Sequence, residues 1–335
     1  MKPLIATVVA SCMLAAAFAQ QPASSPASSL AQTQAASKPV GKDLKVLCSV
    51  FPAYLFTKTV AAGSNLHMDL MLPANLGCPH DYALTPQDMQ KIAAADLLVV
   101  NGQGLEEFLG EPVKKANSRI RVIDASAGIK DLIQMKDGDE HREREGKDAD
   151  HREEGRRHHS GTNPHLFASP LMAARMAANI AAELTKADPE NAALYARNAK
   201  GFAGRMEKLA GEYTQAAKAL ASRKIVTEHA VFDYLAKDCG LEIVAIVEEA
   251  PGQAPSAAET LDIVRKIKDS GAAAVFTEPQ YPARIGQTIA REARLPVAVL
   301  DPVASGPTDA GMDYYEKVMR ANLDTLKKVL GDKGK

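Results

Sequence analysis

The sequence predicts an α/β protein of two lobes, each a mainly parallel four-stranded sheet covered by helices, with one long rigid helix between them. Three observations lead there. Short apolar runs alternate with helical patterns over most of the 335 residues, as parallel strands joined by helical crossovers do. The runs form two series, separated by a long stretch poor in helix breakers. The chain is also too long for one ordinary core, given domains of ~100–200 residues.

The elements follow in order. Residues 1–19, MKPLIATVVASCMLAAAFA, read as an export signal: Lys2, an apolar run, and the small-x-small site Ala17-Phe18-Ala19 before Gln20. The apolar run is shorter than the roughly 20 residues of a spanning helix. A second reading keeps Val9-Ala10-Ser11-Cys12 as a lipobox, with Cys12 as a lipid anchor. Residues 20–43 are a low-complexity tether too polar to pack. Within an N-terminal lobe over 44–187, strands are expected at 44–50, 66–72, 97–100 and 120–123. Helices are expected at 52–62 and 86–95, the second opened by Thr85 as N-cap and Pro86 at the first helical position. Residues 188–222 start with Asp188 and Pro189 and read as a stiff linking helix. The C-terminal lobe, 223–335, repeats the alternation with strands at 224–227, 243–247, 273–277 and 297–300. Its helices are expected near 230–238, 256–270 and 282–294.

Composition narrows the function. A net charge of -1 gives no pull toward nucleic acid or anionic lipid, and the absence of tryptophan leaves no evident stacking platform. A single soluble chain is the expectation, with no nucleic-acid partner. Cleavage after Ala19 leaves Cys48, Cys78 and Cys239; an odd number cannot all pair. The insert 136–160 holds nine acids, seven bases and four of the eight histidines, His141, His151, His158 and His159. It cannot bury a core. Near-neutral imidazoles at that density suit weak metal capture, and a solvated charged loop is the plainer alternative.

Four histidines lie outside the insert. His67 falls inside a strand pattern and reads as structural. His80, His165 and His229 each lie just before a predicted helix, that after His165 starting near Pro170, and His80 and His229 lie in loops that follow strands; Glu278 and Asp301 follow strands of the second series. Ligands of open α/β sheets bind at the carboxyl ends of strands. Three imidazoles and a carboxylate suit a tetrahedral zinc site. They suit a zinc hydrolase as well, with Glu228 or Glu278 as general base.

Several segments carry a resemblance: CSVFPAYLFTKTVA, LPANLGCPHDYALTPQDMQKIAAADLLVVNGQGLEEFL, NPHLFASP, EAPGQAPSAAE, AVFTEPQYPARIGQTIARE, and VLDP followed by YYEKVMRANLDTL. In this order they resemble the zinc-binding periplasmic solute-binding proteins of bacterial ABC importers, the cluster A-I metal-binding family, over about 44–331 without the insert. The resemblance implies two lobes joined by a long rigid helix, metal in the cleft between them, and delivery to a membrane permease. It places the ligands on His80, His165 and His229, with Asp301 matching the variable fourth position. His229 stands where manganese-binding relatives tend to carry glutamate, so Zn2+ is the implied cargo and manganese or iron the alternative. A charged His-rich loop before the second ligand also fits the zinc type. Two features depart from the pattern. Cys78 has no counterpart in the usual site loop, which leaves a thiolate ligand and a Cys48–Cys78 disulfide both open. NPHLF replaces the commoner D-x-H-x-W, which leaves the partner of His165 unassigned.

Overall fold

The computed structural model describes residues 43–79, 82–135, 161–248 and 254–331. The signal, the tether, the insert with its four histidines, and His80 lie outside the described residues.

The first sheet contains β1 (Lys45–Cys48), β2 (His67–Leu70), β3 (Leu97–Val100) and β4 (Arg121–Asp124), all parallel in the order β2-β1-β3-β4. Its helices are α1 (Phe51–Val60), α2 (Pro86–Ala94) and the short α3 (Gly110–Ala116). Thr85 caps α2 as the sequence predicts: its side chain accepts from the Asp88 N–H, and the Asp88 carboxylate accepts from the Thr85 N–H in return. Two helices follow, α4 (Pro170–Ala187) and α5 (Ala192–Lys218). At 27 residues α5 is the long helix, entered through a single tight turn at Pro189–Asn191. The second sheet repeats the first: β5 (Lys224–Thr227), β6 (Glu242–Ile246), β7 (Ala274–Thr277) and β8 (Val297–Val299), parallel in the order β6-β5-β7-β8. It is covered by α6 (Asp233–Cys239), α7 (Ala257–Ser270), α8 (Arg284–Ala293) and α9 (Tyr314–Leu330).

The last helix does more than close the second lobe. Tyr315 of α9 packs edge-on against Phe56 of α1 at 5.2 Å between ring centroids, and lies 6.0 Å from Phe202 of α5. Its hydroxyl donates to the Phe167 carbonyl at 2.7 Å, and Tyr213 of α5 donates to the Met319 carbonyl at 2.5 Å. One continuous buried core therefore runs from β1 through α1, α4 and α5 to α9. Buried rings and satisfied hydroxyls resist sliding, so the two sheets are fixed against one another as interiors are, by close packing. Among the described residues no helix is long and apolar enough to cross a membrane.

In both sheets the order reverses beside the first strand, between β1 and β3 and between β5 and β7. Those two crevices, at the strands' carboxyl ends, are the places where an open parallel sheet exposes loops from neighbouring strands to one ligand.

Candidate metal centre

His229 comes two residues after β5 ends and Glu278 directly after β7 ends. The two strands are neighbours, with Thr227 paired to Phe276, so both side chains enter the same crevice. Nδ1 of His229 lies 2.5 Å from Oε1 of Glu278, and both side chains are buried. Glu278 is itself held: its other oxygen accepts from Gln280 Nε2 at 2.6 Å, and its N–H donates to Glu228 Oε2 at 2.8 Å. Burial works against the His229 imidazolium, but the adjacent Glu278 carboxylate and Cys78 outweigh it and hold its pKa at about 10. With Nδ1 committed to the carboxylate, Nε2 is the nitrogen left to bind a metal, an arrangement common where carboxylates orient ligating histidines. The Cys78 thiol lies within hydrogen-bond reach of the same ring.

His165 arrives from the other side. It precedes the tight turn Leu166–Ala168 and is 1% exposed. Asn163, two residues earlier, accepts from the His165 N–H at 2.9 Å, and its Oδ1 also lies 2.9 Å from His165 Nδ1. The Asn163 amide nitrogen donates to the Ala230 carbonyl at 2.7 Å and to Asp233 at 3.0 Å. Asn163 thus orients the His165 ring and fastens the segment carrying it to the start of α6. Asn101, directly after β3, adds a second tie through its donation to the Pro164 carbonyl at 2.9 Å. The result is that the His165 and His229 rings meet edge to face at 5.1 Å between centroids.

The remaining sequence candidates are placed as follows. His80 lies outside the described residues, although Cys78 and Pro79 bring the chain to its edge. His67 is exposed and pairs with Asp43 at 2.6 Å, in keeping with a structural reading. Asp301 sits at the end of β8, the edge strand, and is not part of the close group. Its Oδ1 accepts from the Val303 N–H at 2.8 Å, and its backbone is held by two bonds to Asn322. Burial, opposed by that N–H and reinforced by the charge of Glu278, raises its pKa. Among the described residues, the group whose donor atoms all lie within 4.8 Å of one another is Cys78, His165 and His229. The three described cysteines are free thiols, so there is no Cys48–Cys78 disulfide. The sequence marked His165 and His229, left Cys78 open, and did not identify Asn163 or Glu278 as partners of the histidines. Asn163 had a local signal, an amide two residues before an imidazole; Glu278 had none, since its pairing depends on strand order.

The chain matches, over residues 46–329, the family described as ZnuA, zinc-uptake complex component A, periplasmic. It is 30% identical over 302 residues to the high-affinity zinc uptake system protein ZnuA of Bacillus subtilis, a match covering 88% of this chain and 90% of that protein. It is 31% identical to the zinc-binding protein AdcA of Streptococcus pyogenes over 88% of this chain, though that match spans only 58% of AdcA. Among solved structures, a zinc-bound ZnuA deletion mutant superposes with a TM-score of 0.70 at 26% identity, covering 87% of this chain and all of the other. With the fold, the paired histidines and this match in agreement, the chain belongs to the ZnuA family of zinc-uptake components.

Proposed function

We propose that the protein is an extracytoplasmic receptor that binds Zn2+ between its lobes and delivers it to the permease of an ABC importer. The observation that carries this reading is the meeting of His165 and His229, 5.1 Å apart between ring centroids, each with its Nδ1 side set against a buried polar partner. Two buried imidazoles, each with its Nδ1 side against a polar partner and meeting edge to face, suit a zinc ion better than an organic solute. His80 supplies a third imidazole from the loop after β2, and Asp301 is the fourth donor on the sequence reading. The 136–160 histidines His141, His151, His158 and His159 add weaker capture sites. The division into an N-terminal lobe 44–187, a linking helix 188–222 and a C-terminal lobe 223–335 is part of the same proposal, as is action as a monomer.

The role is binding rather than catalysis. Glu278, a candidate general base, is engaged by His229 and Gln280, and Glu228 Oε2 is engaged by the Glu278 N–H. Each commits at least one oxygen to holding the site together.

Calorimetric zinc titration of the exported chain tests the proposal. One tight site is expected, lost in His165→Ala and in His229→Ala, with weaker sites that disappear when 136–160 is deleted. A tight site that survives both substitutions contradicts it.

A further inference from the structure

The receptor reading assigns imidazoles and a carboxylate, yet among the described residues the donors that converge include a thiol. One donor atom each from Cys78, His165 and His229 lies within 4.8 Å of the other two, a spacing at which one cation can be shared with small side-chain rotations.

The position of Cys78 is fixed from the opposite lobe. Gly77 adopts φ 83°, in the left-handed region. A Cβ at Gly77 would stand 3.0 Å from Gln280 Cγ and 3.4 Å from the Tyr281 hydroxyl, so glycine alone lets the loop seat there. The Cys78 N–H then donates to the Tyr281 hydroxyl at 3.3 Å. Tyr281 stands edge-on to the His229 ring at 5.8 Å. The same short segment, Glu278 to Tyr281, therefore orients His229 and anchors Cys78 beside it.

An independent feature points to a ligand at this place. His229 is 2% exposed, and its buried Nε2 has no nitrogen or oxygen partner among the described residues, which leaves the Cys78 thiol as the polar group beside the ring. A buried ring nitrogen with only a weak thiol partner is under-satisfied, and a bound cation makes good that deficit. Cys78 is also available, since no described cysteine is in a disulfide. The alternative donor, Asp301, already gives one oxygen to the Val303 N–H.

We infer that Cys78 Sγ coordinates the zinc together with His165 and His229, in the position the sequence reading gave to Asp301. On binding, the S–H bond breaks, the proton passes to solvent and a sulfur–zinc bond forms; the metal stays divalent and nothing is oxidised. A thiolate raises the preference for zinc over manganese, because soft sulfur suits borderline cations and not hard ones. The inference rests on the receptor reading.

X-ray absorption of the exported protein loaded with one zinc per chain tests it. A sulfur neighbour at about 2.3 Å is expected beside nitrogen and oxygen at about 2.0–2.1 Å. Cys78→Ser is expected to lose that sulfur shell while still binding zinc, with a smaller advantage of zinc over manganese in competition titrations. Cys48→Ser and Cys239→Ser are expected to keep it. Zinc bound by the wild type with nitrogen and oxygen neighbours only overturns the inference and leaves the receptor reading standing. Failure of the wild type to take up zinc overturns both.

Discussion

His229 Nδ1 lies 2.5 Å from Glu278 Oε1 because their strands, β5 and β7, are neighbours at the point where the sheet order reverses. The pair sets which nitrogen His229 offers and keeps the ring in one orientation. Replacing Glu278 with glutamine keeps the shape but removes the charge. Zinc affinity is expected to fall by about 10–100-fold, as for other partners that orient ligating histidines. Competition against a chelator of known affinity measures it, and an unchanged dissociation constant would show that Glu278 has no orienting role.

Asn163 does the equivalent work for His165 and also crosses to Ala230 and Asp233. Asn163→Ala is expected to weaken zinc binding and to cost the metal-free protein about 1–3 kcal/mol, since it leaves buried groups without partners. Urea unfolding gives the second quantity. A variant with normal stability and normal affinity would mean that neither contact matters.

The packing of α9 onto the first lobe can be tested away from the metal. Tyr315→Phe deletes only the hydroxyl that serves the Phe167 carbonyl. The orphaned carbonyl is expected to cost about 1–3 kcal/mol, with zinc affinity little changed because no zinc donor moves. Loss of zinc binding without loss of stability would contradict a purely packing role.

Three buried groups give the metal-free protein a common pH dependence. The pKa of His229 is raised from 6.5 to about 10. Its pairing therefore stabilises fully below the unfolded pKa and is lost as pH climbs through the folded one. Glu106 and Glu228 are raised from 4.5 to about 7. Burial is the main cause for both; hydrogen bonds from Ser49, Asn101 and Gly102 oppose it at Glu106. The native state keeps their protons longer than the unfolded chain, so stability falls as pH rises between those values. All three slopes share one sign, and the metal-free protein is expected to be most stable in mildly acidic solution. Glu106→Gln should flatten the slope between the ordinary carboxylate range and neutrality. Zinc acts in the opposite sense, since its ligands must lose their protons, and its stabilising effect should grow with pH. Unfolding midpoints over a pH series, with and without zinc, check both trends.

Most of the fold was legible in the residues. LLVV at 97–100 and KIVT at 224–227 fall on β3 and β5 without shift, because a short apolar run bounded by polar residues has few other uses. The linking helix starts later than expected because Pro189 begins a separate turn before α5. Helix α9 went unassigned although Tyr315, Met319, Leu323, Leu326 and Leu330 stand at helical spacing and are buried. Its start gives no warning, since Asp313 makes no side-chain cap. The site was legible only in part. Histidines at strand ends can be read from sequence, but which strand ends are neighbours depends on the sheet order. That order puts Glu278 beside His229 and leaves Asp301 on the edge strand, two positions from β5.

The central claim is that one zinc is held jointly by the two lobes. It is tested most directly by zinc titration of the chain lacking 136–160, alone and with His165→Ala or His229→Ala. One tight zinc per chain that each substitution abolishes is the predicted result. A tight zinc retained by either variant would contradict the account.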